Sequence, residues 1–167
     1  MTRSVEVRQI AVRSADAGLR IDRRAVARAL GILESQGLAG LATPESVLGH
    51  PGELSVAFLT PVALARLHAR FLSDPSETDV MTFPGDPALG VAGEICLSAR
   101  AAERFARESG RDFSEELTLY LVHGWLHLAG HDDRRPRRKR AMRRAEARAM
   151  RLLRAAGAIP TFSRRTV

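Results

Sequence analysis

Disulfide chemistry is missing from this 167-residue chain, because Cys96 is its single cysteine. No internal bridge can form, and a reducing, cytoplasmic setting is the simplest expectation. Cys96 sits between Ile95 and Leu97, which reads as a small buried side chain and not a nucleophile. Long apolar runs are also missing. No stretch of about 18 such residues occurs, which argues against a membrane-spanning helix. The opening MTRSVEVRQIAV lacks the basic, apolar, small-residue order of a secretory signal. Aromatics make up only 5%, with one Trp and one Tyr, too few for a module that recognises RNA by stacking successive bases. Lysine is reduced to Lys139, so nearly all positive charge is arginine. No internal repeat stands out.

The composition that is present, 45% hydrophobic and 27% charged, suits one globular domain able to bury a core. Its net charge of +7 is unevenly spread. From Arg134 to Val167 there are 13 Arg or Lys against the single acid Glu146, whereas residues 1–133 hold 13 basic and 18 acidic side chains. A basic end on a mildly acidic body points first to an extended anionic partner, nucleic acid, and second to a solvated helix face.

Alternation over Val5–Val12 predicts a first strand. Asp22 predicts the cap of a helix to about Gln36, with Val26, Ala27, Leu30 and Leu33 on one stripe. Residues 37–51 read as turn and loop. ELSVAFL, residues 53–59, predicts a second strand, after which Thr60 and Pro61 open a helix to about Phe71. SDPSE reads as a turn and Thr78–Phe83 as a short strand ended by Pro84 and Gly85. A strand over Ala92–Leu97 follows, then a helix from Ser98 to about Glu108. Asp112 with Glu115 forms a capping box for a helix over 113–129 that stops at Gly130, and Pro136 opens a last helix to about Ala155. Clustered strands followed by helices predict an α+β fold, a small mixed sheet with helices packed on it.

The chemistry is concentrated in LYLVHGWLHLAGHDD, residues 119–133. Its leucines make the helix apolar nearly all round, hence buried. His123 and His127 are four residues apart and share a face, the spacing at which two imidazoles bind one metal ion. Gly130 lets the chain turn back so that a third ligand closes the site. Asp133 falls where H-x-x-x-H-x-x-G-x-x-H sites put their last ligand, and His131 is the alternative. Three protein ligands leave one zinc position open to water, whose pKa the ion can bring near 7. The general-base glutamate of H-E-x-x-H peptidases is replaced by Gly124, which argues against a metallopeptidase. Gly124 itself reads either as room for a substrate backbone or as tight helix packing. Asp132, Asp79 and Glu94 are acids that could support the site, and His50 and His68 read as surface or hydrogen-bonding residues. On the last helix Met142, Ala145, Ala149, Leu152, Leu153 and Ala156 form an apolar stripe. Arg140, Arg144, Arg148 and Arg151 then project elsewhere and could follow a phosphate backbone.

Residues 123–133, H-G-W-L-H-L-A-G-H-D-D, resemble the H-G-x-L-H-L-x-G-Y-D-H signature of the YbeY family, bacterial rRNA maturation factors described as metal-dependent endoribonucleases. Residues 77–84, E-T-D-V-M-T-F-P, resemble that family's P-T-D-V-L-S-F-P, and G-E-I-C-L-S at 93–98 resembles G-D-I-x-I-S. Met142 and Glu146 fall where its last helix carries a Met and a Glu. The resemblance covers about residues 50–157. It implies a zincin-like metal-site helix within a single domain over 1–157, with 158–167 as a flexible tail. It also implies one zinc ion held by His123, His127 and Asp133, and single-strand cleavage in ribosomal RNA maturation at the small-subunit 3′ end. Ribosomal RNA and the ribosome or its precursors would be the partners. A non-catalytic assembly factor with a structural zinc is the alternative. The chain departs from the family in having Asp133 for the third histidine and His131 for a tyrosine. Leu72 stands where the family tends to carry an arginine thought to matter for activity. Arg70 and Arg66 are the candidate substitutes.

Overall fold

The computed structural model describes residues 8–74 and 78–165. Strands β1 (Ile10–Ser14), β3 (Glu53–Leu59), β4 (Val80–Pro84) and β5 (Val91–Ser98) form one sheet in the order β1-β3-β5-β4. The first three run parallel and β4 pairs antiparallel with β5. The sheet is therefore mixed, as the α+β reading expects. Strands β2 (Leu19–Ile21) and β6 (Phe162–Arg164) make a separate antiparallel pair.

Alternation divides the main sheet into two unlike faces. Leu54, Val56, Phe58, Ile95 and Leu97 point into the main core, which α1 (Arg23–Ile32), α5 (Phe113–Leu128) and α6 (Pro136–Ala155) cover. Ala57, Met81 and Cys96 point the other way into a smaller cluster under α3 (Pro61–Leu72), with Leu59, Leu67 and Phe83 at its edge. Cys96 is buried there, and desolvation first, then the Glu94 charge, pushes its thiol up to about 12. The capping residues read from the sequence do cap. Asp22 accepts from the Arg24 and Ala25 amides, Thr60 from Ala63, Ser98 from Ala101 and Asp112 from Glu115. α4 spans Ala99–Ser109.

Three expectations change. The first described strand lies at 10–14, and residues 5–7 of the expected strand fall outside the described residues, as do 75–77 of the SDPSE turn. The helix from Asp22 does not end near Gln36. It widens into a π-helical turn, Leu33–Gly37, and runs on as α2 (Leu38–Leu41) before the loop begins. Burial of Leu33 and Leu41 holds that extension against the core. The stretch expected to be a flexible tail is instead packed as far as it is described. Ala158 and Phe162 are buried, β6 pairs with β2, and Arg164 forms an ion pair with the buried Asp16.

Candidate metal centre

Helix α5 is the part of the fold that fixes the site. Asp112 caps its start, and Glu115 and Glu116 sit in its first turn, where acids favour the helix dipole. Its end is a Schellman turn: the Gly130 amide donates to the His127 carbonyl at 3.1 Å and the His131 amide to Leu126 at 2.9 Å. Gly130 has φ +96°, and a Cβ there would strike the 43–46 loop, whose Thr43 amide donates to the Ala129 carbonyl. No other residue type fits this turn. The chain leaves it directed back along α5, and Asp133 returns beside the two histidines.

Three side chains now converge. The Nε2 atoms of His123 and His127 are 3.0 Å apart. Asp133 Oδ2 lies 3.6 Å from the first and Oδ1 3.8 Å from the second. One ligand atom from each of the three lies within 4.8 Å of the others. Tetrahedral zinc with bonds of about 2.0–2.1 Å needs ligand atoms about 3.4 Å apart, so small side-chain shifts suffice to close the three on one ion.

The opposite nitrogens of both rings explain why the convergence is meaningful. His123 Nδ1 lies 2.6 Å from Oε1 of Glu146 on α6, and His127 Nδ1 lies 3.1 Å from the His131 carbonyl. Both of those partners accept, so each Nδ1 carries the ring proton. Each Nε2 is then a lone pair, and both lone pairs face a carboxylate. Burial first, then the neighbouring His123, holds the His127 pKa below its ordinary value, which keeps this imidazole neutral. Several acceptors gathered around one point with no donor between them are costly unless a cation sits there. Histidines fixed through Nδ1 by a carboxylate or carbonyl are the usual outer support of metal-bound imidazoles.

Over most of its length the chain is similar to known proteins. Residues 25–154 match the family model described as endoribonuclease YbeY. That match covers most of the chain. This protein belongs to the YbeY family. Among curated relatives, endoribonuclease YbeY of Chlamydia pneumoniae is 41% identical over 117 residues, 65% of this chain and 74% of that protein. The Cutibacterium acnes enzyme of the same name is 37% identical over 120 residues, 64% and 77% of the two chains. The solution structure of a Thermotoga maritima protein superposes with a TM-score of 0.54 over 90% of this chain and 95% of its own, at 22% identity. It supports the fold alone.

Of the residues singled out from sequence, His123, His127 and Asp133 are brought together. His131 is not: its Nε2 donates to the Leu41 carbonyl at 2.6 Å, away from the cluster. Gly124 serves packing and not substrate approach, since a Cβ there would lie 2.6 Å from Ile95 Cγ2 and 3.1 Å from Val80 Cγ1. Asp132 accepts from the Arg134 amide and from Arg138, and Glu94 pairs with Arg13. Arg70 sits over the Phe71 ring, which packs edge-on against Phe83 on the α3 side of the sheet. That is the face opposite Gly124 and the histidine helix, so Arg70 is not brought to the cluster. His50 is exposed in its loop. Arg140, Arg144 and Arg148 are exposed on α6, as its apolar stripe requires.

Sequence reasoning missed the pairing of Glu146 with His123. The signals were its position as the lone acid in a basic helix, on the edge of the apolar stripe, and its fall where the family's last helix carries a Glu. It also missed a cavity of about 320 Å³ beside His123, lined by Thr78, Asp79, Val80, Leu119, Tyr120 and Glu146. Three of those residues lie in or next to the T-D-V motif, and the others come one turn before His123 and from α6.

Proposed function

We propose that this protein is a zinc-dependent endoribonuclease that cuts single-stranded RNA in ribosomal RNA maturation, in the cytoplasm. Small-subunit 3′-end processing on the ribosome or its precursors is the role the family resemblance supports best. The observation that carries the metal reading is the set of inward lone pairs on His123 and His127 facing Asp133, with both Nδ1 protons held by outer acceptors. His123, His127 and Asp133 would hold one Zn²⁺ per chain. When bound, the ion supplies a Lewis acid for a phosphoryl oxygen and an open coordination position.

The protein's own groups do the rest. Glu146 holds His123 in its tautomer and keeps the ring basic, and the His131 carbonyl does the same for His127. Arg140, Arg144 and Arg148 stand on the exposed side of α6, which begins three residues after Asp133. RNA phosphates following that helix would pass toward the cluster. A peptidase of the H-E-x-x-H kind finds no support, because a glutamate at position 124 has no room against Ile95 and Val80.

One observation favours the second reading, an assembly factor that holds metal and RNA without cutting. Leu72, at the position where the family tends to carry arginine, is 60% exposed and offers no charge. The deciding experiment measures bound metal and cleavage of single-stranded RNA for wild type and Asp133→Ala, in material free of contaminating ribonuclease. Metal near one per chain with cleavage that Asp133→Ala removes supports the nuclease. Metal and RNA binding without cleavage by wild type supports the assembly factor, and no bound metal in wild type overturns both.

A further inference from the structure

The cavity beside His123 is chemically unlike the surface around it. Among the described residues its lining carries two carboxylates, Asp79 and Glu146, and no Lys or Arg. Glu146 is already committed to His123 Nδ1. Asp79 is exposed and lies close to the Tyr120 phenol, whose pKa is raised first by burial and then by the Asp79 charge. Val80 and Leu119 add apolar wall and Thr78 a hydroxyl. Tyr120 is the only tyrosine in the chain, and it is spent here.

Such a cavity disfavours phosphate: its described lining holds two carboxylates and no Lys or Arg, and the charge of Arg104 reaches Tyr120 only from outside that lining. It suits a flat, uncharged group that has N–H donors on its edge and a face to lay against an aromatic ring. An RNA nucleobase has both properties, provided that it is unpaired and turned out of a helix. The volume of about 320 Å³ falls at the small end of ligand cavities and is ample for one base. The neighbouring charge pattern divides in the same sense: acids line the cavity, while the arginines of α6 follow Asp133 on the chain.

We infer that this cavity is a base-binding subsite, in which Tyr120 packs against one unpaired nucleobase and Asp79 accepts from its N–H edge. The inference rests on the nuclease reading above and adds to it a physical reason for single-strand selectivity. A paired base keeps its N–H edge inside the duplex and cannot reach Asp79. Selection for a single strand then comes from this cavity and not from the metal cluster.

The test uses the full chain loaded with zinc and a single-stranded oligoribonucleotide cut at one mapped linkage. Each nucleotide around that linkage is replaced in turn by an abasic one. At one position the loss of the base should cost about tenfold in kcat/KM, the scale of one base stacked on an aromatic side chain. Tyr120→Ala and Asp79→Asn should each lower cleavage of the intact RNA to a similar degree with metal content unchanged. Their losses should not multiply with that of the abasic position, since variant and lesion remove the same contact. Tyr120→Phe, which keeps the ring, should stay within about threefold of wild type. A wild type that cuts every abasic RNA as well as the intact one overturns the subsite while leaving the nuclease standing. Losses that multiply overturn it too, by making Tyr120 and Asp79 supports of the fold. A wild type that cuts nothing overturns the nuclease reading itself.

Discussion

Helices α5 and α6 pack against each other and both contribute to the histidine cluster, yet they are built on opposite terms. α5 is enclosed: Leu117, Leu121, Val122, Trp125 and Leu126 are all within 1% of full burial, and its histidines emerge only at the open edge. α6 is amphipathic. Met142, Ala145, Ala149 and Leu153 are buried, while a bare arginine face meets solvent. Among the described residues, Arg140, Arg144 and Arg148 form no hydrogen bond or ion pair. The cluster therefore has one rigid half that sets geometry and one half that joins it to the surface through Glu146. A substitution on α5 should act on metal and fold together, and one on the outer face of α6 on neither.

The largest expected effect lies on α5. His127→Ala should leave the protein without stoichiometric zinc, read by metal analysis after dialysis, and should lower thermal stability in zinc-containing buffer. Full occupancy in that variant would remove the helix from the site. The same histidine gives a pH dependence in the metal-free protein. Its folded pKa is depressed, so below about pH 6.5, the ordinary histidine value, the unfolded chain takes up a proton before the native state does. Stability from this group is complete above that pH and falls as the pH drops through the lower folded value. Urea midpoints between pH 7.5 and 5 should fall in wild type, and by less in His127→Ala.

Glu146→Gln comes next, and it tests whether α6 truly shares the cluster. The amide keeps the size but no longer favours a proton on His123 Nδ1 as a carboxylate does. Loss of such an outer partner costs about 10–100-fold in metal affinity or activity. A zinc affinity equal to wild type would make the contact between Glu146 and His123 a hydrogen bond without influence on the metal. On α5, Gly124→Ala should instead act through packing. One added methyl meets Ile95 and Val80, and overpacking of that kind costs about 1–3 kcal/mol. Denaturant unfolding measures it. No loss of stability would show that α5 can move off the sheet and would return Gly124 to substrate approach.

Much of this contrast is legible in the sequence. The i, i+4 histidines, the glycine after them and the capping residues are local signals, each decided within one turn of chain, and the structure keeps them. What the sequence concealed depends on contacts between distant residues. Glu146 meets His123 from 23 positions away, and His131 is drawn off by a carbonyl 90 positions away. Gly124 was ambiguous for the same reason, since only the placement of β4 and β5 says what stands beside it. Packing over residues 158–165 is not legible locally, because β6 has its partner, β2, near the other end of the sequence.

The smallest effect on the fold should come from the outer face of α6, and it completes the comparison. Replacing Arg140, Arg144 and Arg148 together with Gln removes three exposed cations that have no partners among the described residues. Zinc content and unfolding midpoint should match wild type, because none of the three touches the cluster or the core. RNA affinity is where the change should be seen. Each single-strand phosphate neutralised contributes about 0.7 to the slope of log K against log salt, so three lost contacts should flatten that slope by roughly two units. The loss should be largest in dilute salt and shrink as salt rises, since screening already weakens the wild-type contacts. Measuring affinity for one unstructured RNA between about 50 and 200 mM salt reads both the slope and its change. An unchanged slope would make this face solvated surface and move the RNA path elsewhere on the protein. A changed slope with lowered zinc content would mean that the two helices are coupled more tightly than their packing suggests.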